Sequence, residues 1–248
     1  MTTIYILWLR QLKRYFRSKA RIIGSLGQPL LFLVALGFGL SPIYQKAGEG
    51  NYIEFLAPGV MSMNIIFTAI FSGIEVIWDR QFGFLKETLV APVSRFSIML
   101  GRTLGGATVS FFQGIIVFTL SFLVGFRVTN IVSLPLASIF MFLIALLFTA
   151  LGTAIASVLK DMQGFQLIMN FLLMPLFFLS GALFPFEGLP NVFGMVIRVN
   201  PLSYGVDGLR GTLIGGFHFG LVTDFLVLVI ITAFFLAIGS YLFSKIEI

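Results

Sequence analysis

The sequence predicts an all-α integral membrane protein with an interfacial N-terminal helix, about six transmembrane helices and short re-entrant helices before the last span. The first observation behind this is composition. Of 248 residues 58% are hydrophobic and 10% charged, with a mean hydropathy of +1.04. A soluble domain carries roughly 25% charged residues, so no soluble fold could hide this much apolar surface. The second is that apolar runs recur at about 20 residues, the length that crosses a bilayer at 1.5 Å per residue. The third is where the basic residues fall, because Lys and Arg gather in the interruptions on one side.

Met1–Arg21 is read as an interfacial helix. Ile4, Leu7, Trp8, Leu12, Tyr15 and Phe16 make one face, and Arg10, Lys13, Arg14, Arg17 and Arg21 the other. It is not a signal peptide, which would place its charges before its apolar core. A calmodulin-target helix has a similar pattern, but here the helix abuts a span.

Spans are expected at 22–44, 55–78, 96–126, 134–159, 165–184 and 221–243. The first holds Gln28 and Pro29 near its start. The second holds Asn64 well inside and Glu75 near its exit, read as the only acidic residue within a span. The third carries Arg102 near its entry, with Gly101 and Gly105 spaced for close helix contact. The fifth contains Asn170 and Pro175, a residue that kinks helices. Residues 185–220 are rich in Pro and Gly and broken by Glu187, Arg198, Asp207 and Arg210. They are too interrupted to span and too apolar for a free loop. One or two short helices dipping into the outer membrane half fit this pattern, if protein shields them. Glu187, Asp207 and Arg210 are expected to bond to backbone groups there. No internal repeat and no soluble domain is visible, so 1–248 reads as a single transmembrane domain.

Between the second and third spans lies the longest charged interruption, Glu75–Arg95. Trp78, Phe82, Leu85 and Leu89 recur at helical steps, with Asp79, Gly83, Lys86 and Glu87 on the opposite side. Pro92 ends the helix, since it lacks an N–H and clashes with the preceding turn. Residues 79–92 are thus expected to form an amphipathic surface helix; an ordinary interfacial loop is the alternative.

Orientation follows the Lys/Arg bias. Twelve such residues fall on the side of the termini and four, Lys46, Arg127, Arg198 and Arg210, on the other. Both termini and the Glu75–Arg95 stretch are therefore expected in the cytoplasm of a cell (inner or plasma) membrane. The net charge of +6 reflects these loops facing anionic lipid rather than nucleic acid.

The chemistry is sparse. There is no phosphate-binding G-x-x-x-x-G-K-[ST] loop. The single His218 rules out a His-cluster metal site, and the absence of Cys excludes disulfides and thiolate ligands. No Ser/His/Asp arrangement is present, so no catalytic or metal site is expected. The deeper polar residues, Asn64, Thr68, Thr119, Thr149, Thr153 and Asn170, are neutral. Such groups knit helices together at about 0.6–2 kcal/mol each, or line a pathway. With no carboxylate relay near the midplane, active transport would need an external energy source.

Three motifs carry a family resemblance. They are Trp78–Lys86 followed by Ala91-Pro92-Val93-Ser94-Arg95; Leu179-Ser180-Gly181-Ala182-Leu183-Phe184-Pro185; and Asn200-Pro201-Leu202-Ser203-Tyr204-Gly205-Val206-Asp207-Gly208-Leu209-Arg210. In this order, and with the basic amphipathic N-terminus, the chain resembles permease subunits of type-2 ABC exporters. It looks closest to the branch of daunorubicin-resistance and nodulation-oligosaccharide permeases. The resemblance covers essentially the whole chain. It implies a connecting helix, six spans and re-entrant helices. It further implies two permeases, as a homodimer or with a close homologue, and two cytoplasmic ABC ATPase subunits that hold the ATP and Mg.

On that resemblance the helix around 80–89 would be the coupling helix seated on the ATPase. Phe82 and Leu85 would be apolar anchors, Arg80, Lys86 and Glu87 would set register, and Gly83 would allow close backbone approach. Substrate would pass between two permeases along the second and fifth spans, with Asn64 and Asn170 as candidate contacts. A stand-alone channel or secondary carrier is the competing reading.

Overall fold

The computed structural model describes residues 2–46, 50–90, 92–129, 131–185 and 191–245. Among them all regular structure is helical, as lipid demands of a chain that must satisfy its backbone internally. The order is α1 (Thr2–Arg17), α2 (Lys19–Gly24), α3 (Gly27–Lys46), α4 (Tyr52–Phe71), α5 (Ile74–Gln81), α6 (Phe84–Val90), α7 (Arg95–Leu123), α8 (Leu134–Val158), α9 (Met162–Phe178), α10 (Asn191–Val199), α11 (Pro201–Ile214) and α12 (Leu221–Ser244).

Among the described residues five helical stretches are long and apolar enough to cross a membrane: Lys19–Lys46, Tyr52–Gln81, Arg95–Leu123, Ile131–Val158 and Leu221–Ser244. The first and second are each jointed rather than straight. The first breaks at Ser25–Leu26, where the Ser25 hydroxyl donates to the Ile22 carbonyl at 2.9 Å. The second breaks at Ser72–Gly73. There the chain crosses α8 backbone to backbone: a Cβ on Gly73 would lie 2.5 Å from the Gly152 carbonyl oxygen. Only small residues permit that approach.

The expected fifth span, 165–184, is shorter than its apolar run. Helix α9 has 17 residues, about 26 Å at 1.5 Å per residue against a hydrocarbon core of ~30 Å. It stops at Phe178, and the chain turns through Gly181 at φ +72°. Asn200 explains how this end is held. Its side chain accepts from the Leu202 N–H at 3.0 Å, capping α11, and its amide donates to the Leu176 and Leu179 carbonyls at 2.7 and 3.1 Å. One residue thus satisfies orphan groups at two helix termini.

Helix α4 is the centre of the bundle. Every residue from Leu56 to Ile66 is buried, with α3, α7, α8 and α11 around it. Helix α12 packs on α8, and α1 lies along α7. The segment before the last span contains α10 and α11. Helix α11 is buried continuously from Gly205 to Leu213, with the Phe140 ring of α8 resting directly on Gly208.

Candidate functional site

The helix expected at 79–92 is built differently. The second span continues through Trp78, Asp79 and Arg80 as α5, and a separate helix, α6, starts at Phe84. Gly83 separates them at φ +81°, a conformation that ends a helix and favours glycine. A Cβ there would meet nothing within 4 Å. Within this chain Gly83 is therefore needed for backbone conformation, and its Cβ side faces open space.

Asp79 also departs from its expected place on the polar outer side. It is 4% exposed, because α5 turns it inward to meet two arginines. Its oxygens pair with Arg10 of α1 at 3.0 Å and with Arg102 of α7 at 2.6 Å. One turn earlier, Glu75 is buried and faces Arg14 and Arg21 at 3.5 and 3.4 Å. Arg14 also lies over the Trp78 ring, 5.3 Å from its centroid. Two carboxylates on α5 thus engage four guanidiniums on α1, α2 and α7. The basic face of α1 is partly spent on this lattice. The signal was present in the sequence: an arginine inside an apolar helix, such as Arg102, requires a buried partner.

Helix α1 is fixed on its other side by packing. A Cβ on Gly101 would lie 3.0 Å from the Ile4 carbonyl oxygen, and one on Gly105 2.6 Å from the Gln11 side chain. These two glycines let α1 lie against α7. Trp8 Nε1 donates to Thr108 Oγ1 at 3.0 Å. The Tyr15 hydroxyl bonds Gln113, which in turn bonds Ser25 Oγ. Burial pushes the Tyr15 phenol above its usual value. Helices α1, α5 and α7 therefore form one clamped unit.

Beside this unit runs a groove of about 670 Å³, lined among others by Ile6, Arg10, Lys13, Arg17, Phe82 and Phe84. Phe82 is 69% exposed and Leu85 2% exposed. Of the two expected apolar anchors, Leu85 therefore holds α6 onto the protein, worth about 1.5–3 kcal/mol, and Phe82 is free to meet something else. Arg80 is partly exposed. Lys86 and Glu87 lie on α6, but their side chains fall outside the described residues.

A second cavity, about 370 Å³, lies between α1–α3 and α4–α5, with Asn64, Phe67, Phe71, Glu75 and Trp78 on its wall. Asn64 donates to the Ser25 carbonyl at 3.2 Å, and its side-chain oxygen has no hydrogen-bond partner among the described residues. Asn170 does not reach this cavity. It sits on the exposed face of α9 beside Phe171, which is 83% exposed. One chain alone does not bring the two asparagines together.

At the opposite end of the bundle, Asp207 accepts from the backbone N–H of His218 at 2.9 Å and of Phe219 at 2.8 Å. Arg210 donates to the carbonyls of Gly181 at 2.9 Å and Phe55 at 3.3 Å, with its guanidinium 3.9 Å from the centroid of the Phe55 ring. Glu187 lies outside the described residues. Glu75 is not the only acid inside a span: Asp224, in the first turn of α12, is fully buried.

The family model described as ABC-2 type transporter matches residues 2–214. The chain belongs to the ABC-2 type transporter family. The ycf38 protein of Cyanophora paradoxa, named as a transport permease, is 29% identical over 84% of this chain and 72% of its own length. Nodulation protein J of Rhizobium leguminosarum bv. trifolii is 29% identical over 85% and 78%. The inner membrane transport permease YadH of Escherichia coli K12 is 28% identical over 94% and 92%. This ABC-2 protein is thus a multi-pass membrane permease. All three quoted motifs lie inside the matched range, and each has a structural reason. The first supplies the α5–α6 joint and Asp79, the second the turn after α9, and the third the Asn200 cap with Asp207 and Arg210.

Proposed function

We propose that this permease is the membrane half of an ATP-driven exporter, moved by a separate cytoplasmic ABC ATPase that seats in the groove between α1 and α6. The observation that carries the reading is Asp79. It ties α5 to α1 and α7 at once, so a push received at the exposed α5–α6 joint reaches three helices together. The groove offers apolar Phe82, Phe84 and Ile6 with basic Arg10, Lys13 and Arg17, a surface for an acidic-rimmed apolar pocket on the partner. Charge bias supports placing this end, with both termini, in the cytoplasm. Two ATPase subunits would bind the ATP and Mg, and a second permease copy would complete the pathway. The cavity at Asn64 and the exposed face of α9 at Asn170 would then line it from two subunits. Its apolar and aromatic walls suit a drug-, lipid- or glycan-like substrate.

The test is co-purification with the ATPase and substrate-stimulated ATP hydrolysis in the reconstituted complex. Phe82→Asp is expected to preserve membrane insertion and to lose both. Full transport by Phe82→Asp with the ATPase bound would remove the joint from the mechanism. Conductance or ion-coupled flux from the purified permease alone would favour a channel or carrier instead.

A further inference from the structure

The cavity of about 370 Å³ between α1–α3 and α4–α5 holds a charge imbalance that the coupling role leaves unused. Two spans break beside it. Ser25, at the joint of the first span, and Ser72, at the joint of the second, both stand on its wall. Helices that break cannot pack continuously past one another, and the space left here has the size of a small-molecule site. Its wall is largely apolar and aromatic, with Pro29, Met63, Phe67 and Phe71. Among the described residues its charged groups are Arg21 of α2 and Glu75 of α5.

Glu75 is shared between Arg14 and Arg21, at 3.5 and 3.4 Å. Both separations are longer than the roughly 2.7–2.9 Å of a close charge-assisted hydrogen bond. One carboxylate between two guanidiniums leaves one positive charge over. Arg14 has a further contact in the Trp78 ring. Arg21 makes a single side-chain hydrogen bond among the described residues, to Glu75, although a guanidinium carries five N–H donors. Its side chain is 47% exposed. Aromatic walls with a carboxylate would otherwise suit a cation, but two guanidiniums already occupy Glu75.

We propose that this cavity binds an anionic amphiphile, its acidic head paired with Arg21 and its apolar chain along Phe67 and Phe71. The planar fork of a guanidinium matches phosphate and carboxylate. Such a head shares Arg21 with Glu75 while Arg14 stays on the carboxylate, so the spare positive charge is met and no acid is uncovered. Asn64, 4% exposed on the same wall, has an amide oxygen with no hydrogen-bond partner among the described residues, which a hydroxyl near the head would satisfy. The same chemistry belongs to an acidic phospholipid of the adjoining leaflet and to an acidic amphiphilic cargo. Only the role of the cavity as part of a pathway rests on the exporter reading. Binding to the permease alone needs no ATPase, so either can fail without the other.

The chain has two tryptophans, Trp8 and Trp78, and Trp78 lies on the cavity wall. In full-length Trp8→Phe permease, held in phosphatidylcholine nanodiscs, Trp78 reports a bromoalkyl phosphate by fluorescence quenching. Saturable quenching is expected, with the matching bromoalkyl glucoside and bromoalkyl trimethylammonium binding at least about tenfold more weakly. Arg21→Gln should weaken the phosphate by about 10–100-fold, the range for a hydrogen bond to a charged group, and leave the glucoside unchanged. Trp78 also edges the groove between α1 and α6, so a second variant assigns the signal. Thr68→Phe fills the cavity, where Thr68 lies, leaves the groove as it is, and should abolish saturable quenching at an unchanged melting temperature. Phosphatidylglycerol added to the nanodiscs separates the two sources. Competition with the phosphate probe identifies a resident lipid, and binding undisturbed by it identifies cargo; both support the site. Equal affinity for the three probes, tighter binding of the cation, or undiminished quenching in Arg21→Gln or Thr68→Phe would overturn it.

Discussion

The Arg102–Asp79 pair permits a prediction whose size can be worked out. The Arg102 side chain is 4% exposed and its only hydrogen bond among the described residues is the 2.6 Å contact to Asp79. Asp79→Leu would leave that guanidinium buried and unpaired, at about 3–5 kcal/mol. The Arg10 pair lost at the same time adds at most about 1 kcal/mol, because Arg10 is 43% exposed. Arg102→Met is gentler. It leaves Asp79 with Arg10 at 3.0 Å, so a cost of about 1–3 kcal/mol is expected. The double variant removes both buried charges and should be more stable than Asp79→Leu alone, with a coupling of at least about 2 kcal/mol. For a chain of this size each kcal/mol moves the melting temperature by about 2–4 °C, so Asp79→Leu should fall by about 6–24 °C. The assay is thermal unfolding of the purified permease at a fixed scan rate, followed by tryptophan fluorescence. If Asp79→Leu is as stable as the double variant, or if the two single costs add, the pair is not the buried counter-ion contact described.

Two further expectations follow from the same geometry. At Gly83, with φ +81° and open space around its Cβ position, Gly83→Leu should strain the α5–α6 joint by about 1–2 kcal/mol, whereas Gly83→Asn, which tolerates this conformation, should retain most substrate-stimulated ATP hydrolysis; equal activity in both variants would show that the joint angle is not needed. Single cysteines introduced into this cysteine-free chain should label from outside intact cells at Thr129 and not at Gln81 or Ser244, all three exposed; external labelling at Gln81 would reverse the orientation.

The helical class was legible because lipid removes alternatives. Long apolar runs can only be helices or closed barrels, and the 3.6-residue periodicity at the N-terminus selected the helix. Boundaries were less legible where the chain bends without changing hydropathy. The joint at Ser72–Gly73 lies inside one apolar run, and its cause is a neighbour, Gly152, some eighty residues away in sequence. The end of α9 was read six residues late, at Phe184 rather than Phe178. Residues 179–184 are as apolar as the helix before them, and what halts it is the turn at Gly181 together with the Asn200 amide, which takes its last carbonyls.

The charged groups show why a site is harder to read than a span. Amphipathic periodicity assigns each residue to a face, but it does not say what that face meets. Placing Asp79 with Gly83, Lys86 and Glu87 was correct as helical geometry only if the helix ran unbroken from 79. Once Gly83 splits it, Asp79 belongs to a different helix and points at Arg102. A charge balance within the apolar segments would have been more informative than periodicity. Arg102, Glu75 and Asp224 are each too costly to bury alone, so each implies a partner. Arg102 finds an acid and Glu75 finds arginines. Asp224 is buried with neither carboxylate oxygen hydrogen-bonded among the described residues, so its partner is the one that periodicity and charge balance both leave unnamed.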